Sequence, residues 1–144
     1  MNGEELKILV VDDEESVLIV IKQALAGHCQ VLTAQNGETA LEVIKREKPV
    51  LVFLDIGMPG MSGLEALGLI QELGMPPAVW MLTGDEDLEM AERTLKGGAR
   101  GYITKPFDVD RLRSVAFSAL ETLSGDKKDS AAGDRPWRVK KPNK

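Results

Sequence analysis

Residues 52–63 read VFLDIGMPGMSG. An apolar run, Val50-Leu51-Val52-Phe53-Leu54, ends in a carboxylate, Asp55, and a loop of Gly57, Met58, Pro59, Gly60, Met61, Ser62 and Gly63 follows. Desolvating a charge is costly, so an acid closing such a run is either a solvated cap or a group the fold partly exists to hold. A near-continuous apolar run fits a strand covered on both faces, as in the parallel sheet of an α/β fold.

The same grammar repeats on either side. Leu6–Val11 is a strand candidate, followed by a helix over Glu14–Ala26 with Val17, Val20, Ile21, Ala24 and Leu25 at three- and four-residue spacing. Gly27 stops that helix. Gln30–Ala34 predicts a second strand and Glu38–Glu47 a second helix, with Ala40, Leu41 and Ile44 inward and Pro49 beyond its end. The run 50–54 is the third strand. Ser62 caps a third helix, Gly63–Leu73, with Glu65 at the reciprocal capping-box position. Ala78–Leu82 is a fourth strand and Asp85–Lys96 a fourth helix, ended by Gly97-Gly98. Ala99–Thr104 is a fifth strand, and Asp108–Leu123 a last helix with Leu112, Val115, Ala116, Ala119, Leu120 and Leu123 on its apolar face. Five β-α units in order predict one doubly wound α/β domain, a parallel sheet with helices on both faces.

Composition narrows the functions such a domain can have. A chain of 144 residues with 43% hydrophobic residues can bury a core without disulfides or metal. No apolar run approaches the roughly 20 residues of a membrane span, and the polar start MNGEELKILV is not a signal peptide, so a cytoplasmic location is the expectation. Cys29 and His28 are each the only residue of their type, which excludes disulfide frameworks and Cys/His zinc sites and argues against a Ser-His-Asp triad. Cys29 reads as an inert buried thiol.

Charge divides the chain. Residues 124–144 carry seven Lys/Arg against three Asp, a net +4, leaving 11 basic and 20 acidic residues, a net −9, in the body. An acidic body argues against a nucleic-acid-binding core. The tail lacks apolar periodicity and reads as a disordered end or linker, too short for a DNA-binding unit or a cyclase. The alternative for it is a docking segment around Trp137, Arg138, Lys140 and Lys141.

Open parallel sheets bind ligands beyond the carboxyl ends of their strands. There the sequence sets Asp12 and Asp13 after the first strand, Asp55 after the third, Thr83 after the fourth and Lys105 after the fifth. Taken singly, each has an ordinary reading as helix cap, turn residue or solvated lysine. Together they should converge on one edge. Three carboxylates cannot all stay charged unaided, since each pair at ~4 Å costs roughly 4 kcal/mol at an effective dielectric of 20. Either their pKa values rise or a cation binds, and Mg²⁺ is the usual occupant of such an oxygen-donor site. With the Lys105 ammonium and the Thr83 hydroxyl, these are the parts needed to hold a phosphoryl group and a carboxylate to receive it. No glycine-rich phosphate cradle follows the first strand.

The motifs ILVVDDEES at 8–16, LDIGMPGMSGLEAL at 54–67, WMLTGDED at 80–87 and GARGYITKPFD at 98–108 together resemble the receiver domain of two-component response regulators, over about residues 5–123. The resemblance implies a flavodoxin-like fold, a five-stranded parallel sheet of order 2-1-3-4-5 with five helices, in a receiver domain over residues 1–123. It implies that Asp55 is the phosphoacceptor and that Asp12, Asp13, Asp55 and the Gly57 backbone carbonyl hold Mg²⁺. Lys105 would pair with the phosphoryl oxygens, Thr83 would bond one of them, and Tyr102 matches the aromatic that turns inward when Thr83 moves. Lys105-Pro106 resembles the family's cis peptide. The implied partners are a sensor histidine kinase or phosphotransfer protein, and an effector or second copy at the face of the fourth helix, fifth strand and fifth helix. Such a domain is not an enzyme beyond its own phosphorylation and dephosphorylation.

Ser62, Gly57 and Gly84 depart from the commonest family pattern, and Asp85 places an acid two residues beyond Thr83. Gly57 is expected to leave open the path by which water reaches an acyl phosphate. Trp80 reads as a large core residue. A pseudo-receiver or adaptor that works without phosphorylation is the alternative function. A flavin-binding domain would need a Ser/Thr/Gly run after the first strand, and an aspartyl phosphatase would leave Asp55 without a role.

Overall fold

The computed structural model describes residues 6–84 and 87–123. Five strands and five helices alternate: β1 Lys7–Val11, α1 Glu15–Leu25, β2 Gln30–Ala34, α2 Gly37–Glu47, β3 Leu51–Asp55, α3 Gly63–Gln71, β4 Ala78–Thr83, α4 Leu88–Lys96, β5 Gly101–Thr104 and α5 Val109–Leu123. All strand pairs are parallel, in the order β2-β1-β3-β4-β5. The expected flavodoxin-like, doubly wound sheet is therefore the observed one.

The apolar run that opened the reading is the central strand, buried at every position from Leu51 to Asp55. Successive residues serve opposite faces, because side chains alternate along a strand. Leu51 and Phe53 join Ile8, Val10, Leu82 and Ile103 in a core with α1 and α5. Val52 and Leu54 join Leu9, Val11, Val79 and Met81 in a second core covered by α2, α3 and α4. Burying side chains of this size stabilises by about 1.5–3 kcal/mol each.

Helix ends follow local chemistry. Ser62 and Glu65 form the expected capping box, with Glu65 N–H donating to Ser62 Oγ at 3.1 Å and Ser62 N–H to Glu65 Oε1 at 3.0 Å. Gly27, with φ +85°, takes the left-handed turn after α1 that other residues resist. α2 starts one residue earlier than expected, because Asn36 accepts Thr39 N–H at 2.8 Å and caps it.

In α1 the inward face differs from the expected one. Leu18, Ile21, Ala24 and Leu25 are buried, whereas Val20 is 42% exposed. Val20 lies roughly 200° round the helix from Leu18, so one helix cannot bury both against the same sheet. Val43 joins Ala40 and Ile44 in the buried face of α2. α3 stops at Gln71 and β5 begins at Gly101, two residues inside each expected limit. Asp85, the side chain of Leu123 and the tail 124–144 lie outside the described residues. Among the described residues, no helix is long and apolar enough to cross a membrane.

Candidate functional site

The carboxyl ends of β1, β3, β4 and β5 meet at one edge, and backbone hydrogen bonds set each residue there. Asp12 N–H donates to Ala34 O at 3.1 Å, carrying the sheet one residue past β1. Ile56 N–H donates to Leu82 O at 3.0 Å just past Asp55, and Lys105 N–H to Thr83 O at 2.7 Å. Gly63 packs α3 against this edge, and a Cβ there would meet the Asp55 carbonyl and lie 2.7 Å from Ile56 Cα. Only glycine admits that approach.

Asp12 and Asp55 are buried and Asp13 is exposed, yet each offers an oxygen within 4.8 Å of the other two. Lys105 Nζ lies 2.8 Å from Asp12 Oδ2, 3.3 Å from Asp55 Oδ1 and 3.7 Å from Glu14 Oε1. Asp55 Oδ1 also accepts Gly57 N–H at 3.3 Å, and Asp12 Oδ1 accepts Glu14 N–H at 2.9 Å. The Lys105 contact to Asp12 Oδ2 is close but poorly aligned, so that buried oxygen has no hydrogen-bond partner among the described residues. Burial, and then the Asp12 charge, push the Asp55 carboxyl up to about 6, with Lys105 and the Gly57 N–H opposing. Burial works against the Lys105 charge, but Asp12 and Asp55 outweigh it and raise its pKa.

Thr83 is fully buried at the end of β4, with its hydroxyl donating to Gly84 O at 3.0 Å. Tyr102 is half-buried on β5, opposite Met81, and packs against the core beneath α2, α3 and α4. The Lys105-Pro106 peptide is cis. Every residue expected at the strand ends is thus at this edge, with Asp12, Asp13, Asp55 and Lys105 brought together and the Thr83 hydroxyl engaged elsewhere. Two acids join the site that strand-end reasoning passed over. Glu14 reaches Lys105, and Asp87 faces Gly57, where its Oδ2 lies 3.5 Å from the position a Cβ would take. The acid runs DDEE and GDED were the available signal for them.

The chain matches the family model described as the response regulator receiver domain over residues 8–117. It is 35% identical over 120 residues to sporulation initiation phosphotransferase F of Bacillus subtilis, a match covering 82% of this chain and 96% of that protein. It is 36% identical over 123 residues to the regulatory protein AtoC of Escherichia coli, covering 82% of this chain but spanning only 26% of that longer relative. Among solved structures, the NtrX receiver domain from Brucella abortus superposes with a TM-score of 0.74 at 39% identity, covering 80% of this chain and 98% of that one. A LuxO-type signal receiver domain from Vibrio parahaemolyticus gives 0.78 at 27% identity, covering 87% and 97%. With its sheet order, strand-end acids and lysine in agreement, the chain belongs to the receiver domain family of two-component response regulators.

Proposed function

We propose that Asp55 accepts a phosphoryl group from a phosphohistidine of a sensor kinase or phosphotransfer protein. The observation that carries this is the Asp55 carboxylate, bracketed by Asp12 and Asp13 and touched by Lys105 at 3.3 Å. An Asp55 oxygen attacks phosphorus, the phosphorus–nitrogen bond breaks, and the imidazole leaves with the bonding pair and takes up a proton. With a pKa of about 6, Asp55 is mostly ionised at neutral pH and able to attack. The product is an acyl phosphate, which water later cleaves back to the carboxylate.

Hard carboxylate oxygens of Asp12, Asp13 and Asp55 within 4.8 Å of one another fit Mg²⁺. Asp12, Asp13, Asp55 and the Gly57 carbonyl would hold it. When bound, it neutralises charge developing on the transferring phosphoryl oxygens. Lys105 supplies the second positive charge. The Thr83 hydroxyl must exchange Gly84 O for a phosphoryl oxygen, and Tyr102, two residues before the end of β5, is placed to follow it. That exchange biases the α4-β5-α5 face, where an effector or a second copy would dock; phosphorylation shifts the balance only by its differential interaction with the two states. We take the receiver unit as residues 1–123 and the basic residues 124–144 as a tail or linker.

Beryllofluoride with Mg²⁺ mimics the phosphoryl group and tests this reading. Wild type should bind it and Asp55→Asn should not. Undiminished binding by Asp55→Asn would refute the assignment of Asp55.

A further inference from the structure

Asp87 stands at the N-cap of α4, where an aspartate ordinarily accepts a hydrogen bond from the helix's second or third amide. It does not. Its carboxylate makes no cap hydrogen bond, and its backbone, at φ −109° and ψ 17°, is outside the extended region that capping residues adopt. The carboxylate is turned instead toward Gly57, with Oδ2 3.5 Å from where a side chain at that position would begin. Gly57 N–H in turn donates to Asp55 Oδ1. These two contacts hold the carboxylates of Asp87 and Asp55 within about one screening length, ~10 Å at 0.1 M salt. No side chain at position 57 stands between them.

Resting on the reading of Asp55 as phosphoacceptor, we infer that Asp87 is an electrostatic lever: added negative charge on Asp55 drives its carboxylate off Gly57 and onto the amides at the start of α4. Two forces act in the same direction. Like charge repels the carboxylate from the site, and the N-terminus of α4 attracts it, since the first amides of a helix have no partner within the helix and carry the positive end of its dipole. The amides in reach of a capping residue at 87 are those of Glu89 and Met90, the second and third of the helix. The lever therefore links the charge state of Asp55 to the first turn of α4, independently of the hydroxyl of Thr83. It depends on Gly57, because a longer side chain there would stand between the two carboxylates.

Hydrogen exchange at the Glu89 and Met90 amides of the full chain, in Mg²⁺ throughout and with or without beryllofluoride so that only negative charge is added, tests this. In wild type, protection of both amides should rise on loading. Asp87→Asn keeps the capping chemistry but not the charge, and should lose most of that rise while binding beryllofluoride roughly fivefold tighter, at the low end of ordinary coupling. Asp87→Ser, which caps without charge, should behave likewise. The same rise in protection in both variants as in wild type would overturn the lever and leave Asp55 untouched. Failure of wild type to bind beryllofluoride would overturn the phosphoacceptor reading, and the lever with it.

Discussion

Lys105 Nζ lies 3.3 Å from Asp55 Oδ1, across a separation of 50 residues in the chain. It also sits 2.8 Å from Asp12 Oδ2, so one ammonium serves both buried acids of the site. A divalent ion held by the same carboxylates must share them with this cation. Lys105→Met is therefore expected to tighten Mg²⁺ binding on the order of tenfold, since a like charge is removed at contact distance. The same variant should lose the response of α4 and β5 to beryllofluoride. Calorimetric titration with Mg²⁺ reads the first effect; weaker binding in Lys105→Met would mean that the lysine supports the metal.

The raised pKa of Asp55 predicts a definite pH dependence. A group whose pKa is higher in the folded state favours folding while it is protonated. That contribution is complete below the ordinary value of 3.8 and is lost as pH rises through about 6. Metal-free protein should thus be destabilised by this group at neutral pH, and Asp55→Asn should raise Tm there while changing it little near pH 4. Mg²⁺ affinity runs the other way, falling as pH drops through about 6 and Asp55 takes up its proton. Thermal unfolding in chelator across this range checks the sign; a Tm gain for Asp55→Asn equally large at acid pH would rule out ionisation of Asp55 as its source.

Much of this site was legible because its residues terminate apolar runs. Asp12, Asp55 and Lys105 each directly follow or close a strand pattern, and parallel topology brings strand ends to one edge whatever the loops do. The inward face of α1 was not legible, because Val17-Leu18-Ile19-Val20-Ile21 is apolar at every position and periodicity cannot choose among them. Packing against α5 and the sheet decides for Leu18 and Ile21. Glu14 and Asp87 were missed for a related reason: each meets its neighbour across a gap between loops, and no local pattern encodes that meeting.

Two substitutions one residue apart separate helix stability from site geometry. A Cβ at Gly63 meets the backbone of Asp55 and Ile56, which cannot yield as a side-chain tip could. Gly63→Ala should cost about 1–3 kcal/mol, as overpacking does, and weaken beryllofluoride binding by displacing Asp55. Ser62→Ala removes a cap worth about 1 kcal/mol but touches neither backbone. It should lower Tm with little effect on binding. Parallel melts and titrations would expose an error if the two variants lost affinity equally.

Gly57 governs access to Asp55. The residue is exposed at the rim, its N–H is on Asp55 Oδ1, and among the described residues a Cβ added there meets only Asp87 Oδ2, at the ordinary contact distance of 3.5 Å. Position 57 can therefore accept a larger side chain without backbone strain. The arginine of Gly57→Arg would start beside the Asp87 carboxylate, which can hold the guanidinium across the opening by a charge-assisted pair. Water attacking an acyl phosphate on Asp55 would then have to pass that side chain. Gly57→Arg should lengthen the phosphoryl lifetime severalfold, and Gly57→Ala, too short to cover the opening, should change it little. Following the decay of radiolabelled phosphoryl group on the purified chain measures this directly. If both variants lose label as fast as wild type, Gly57 does not set the lifetime.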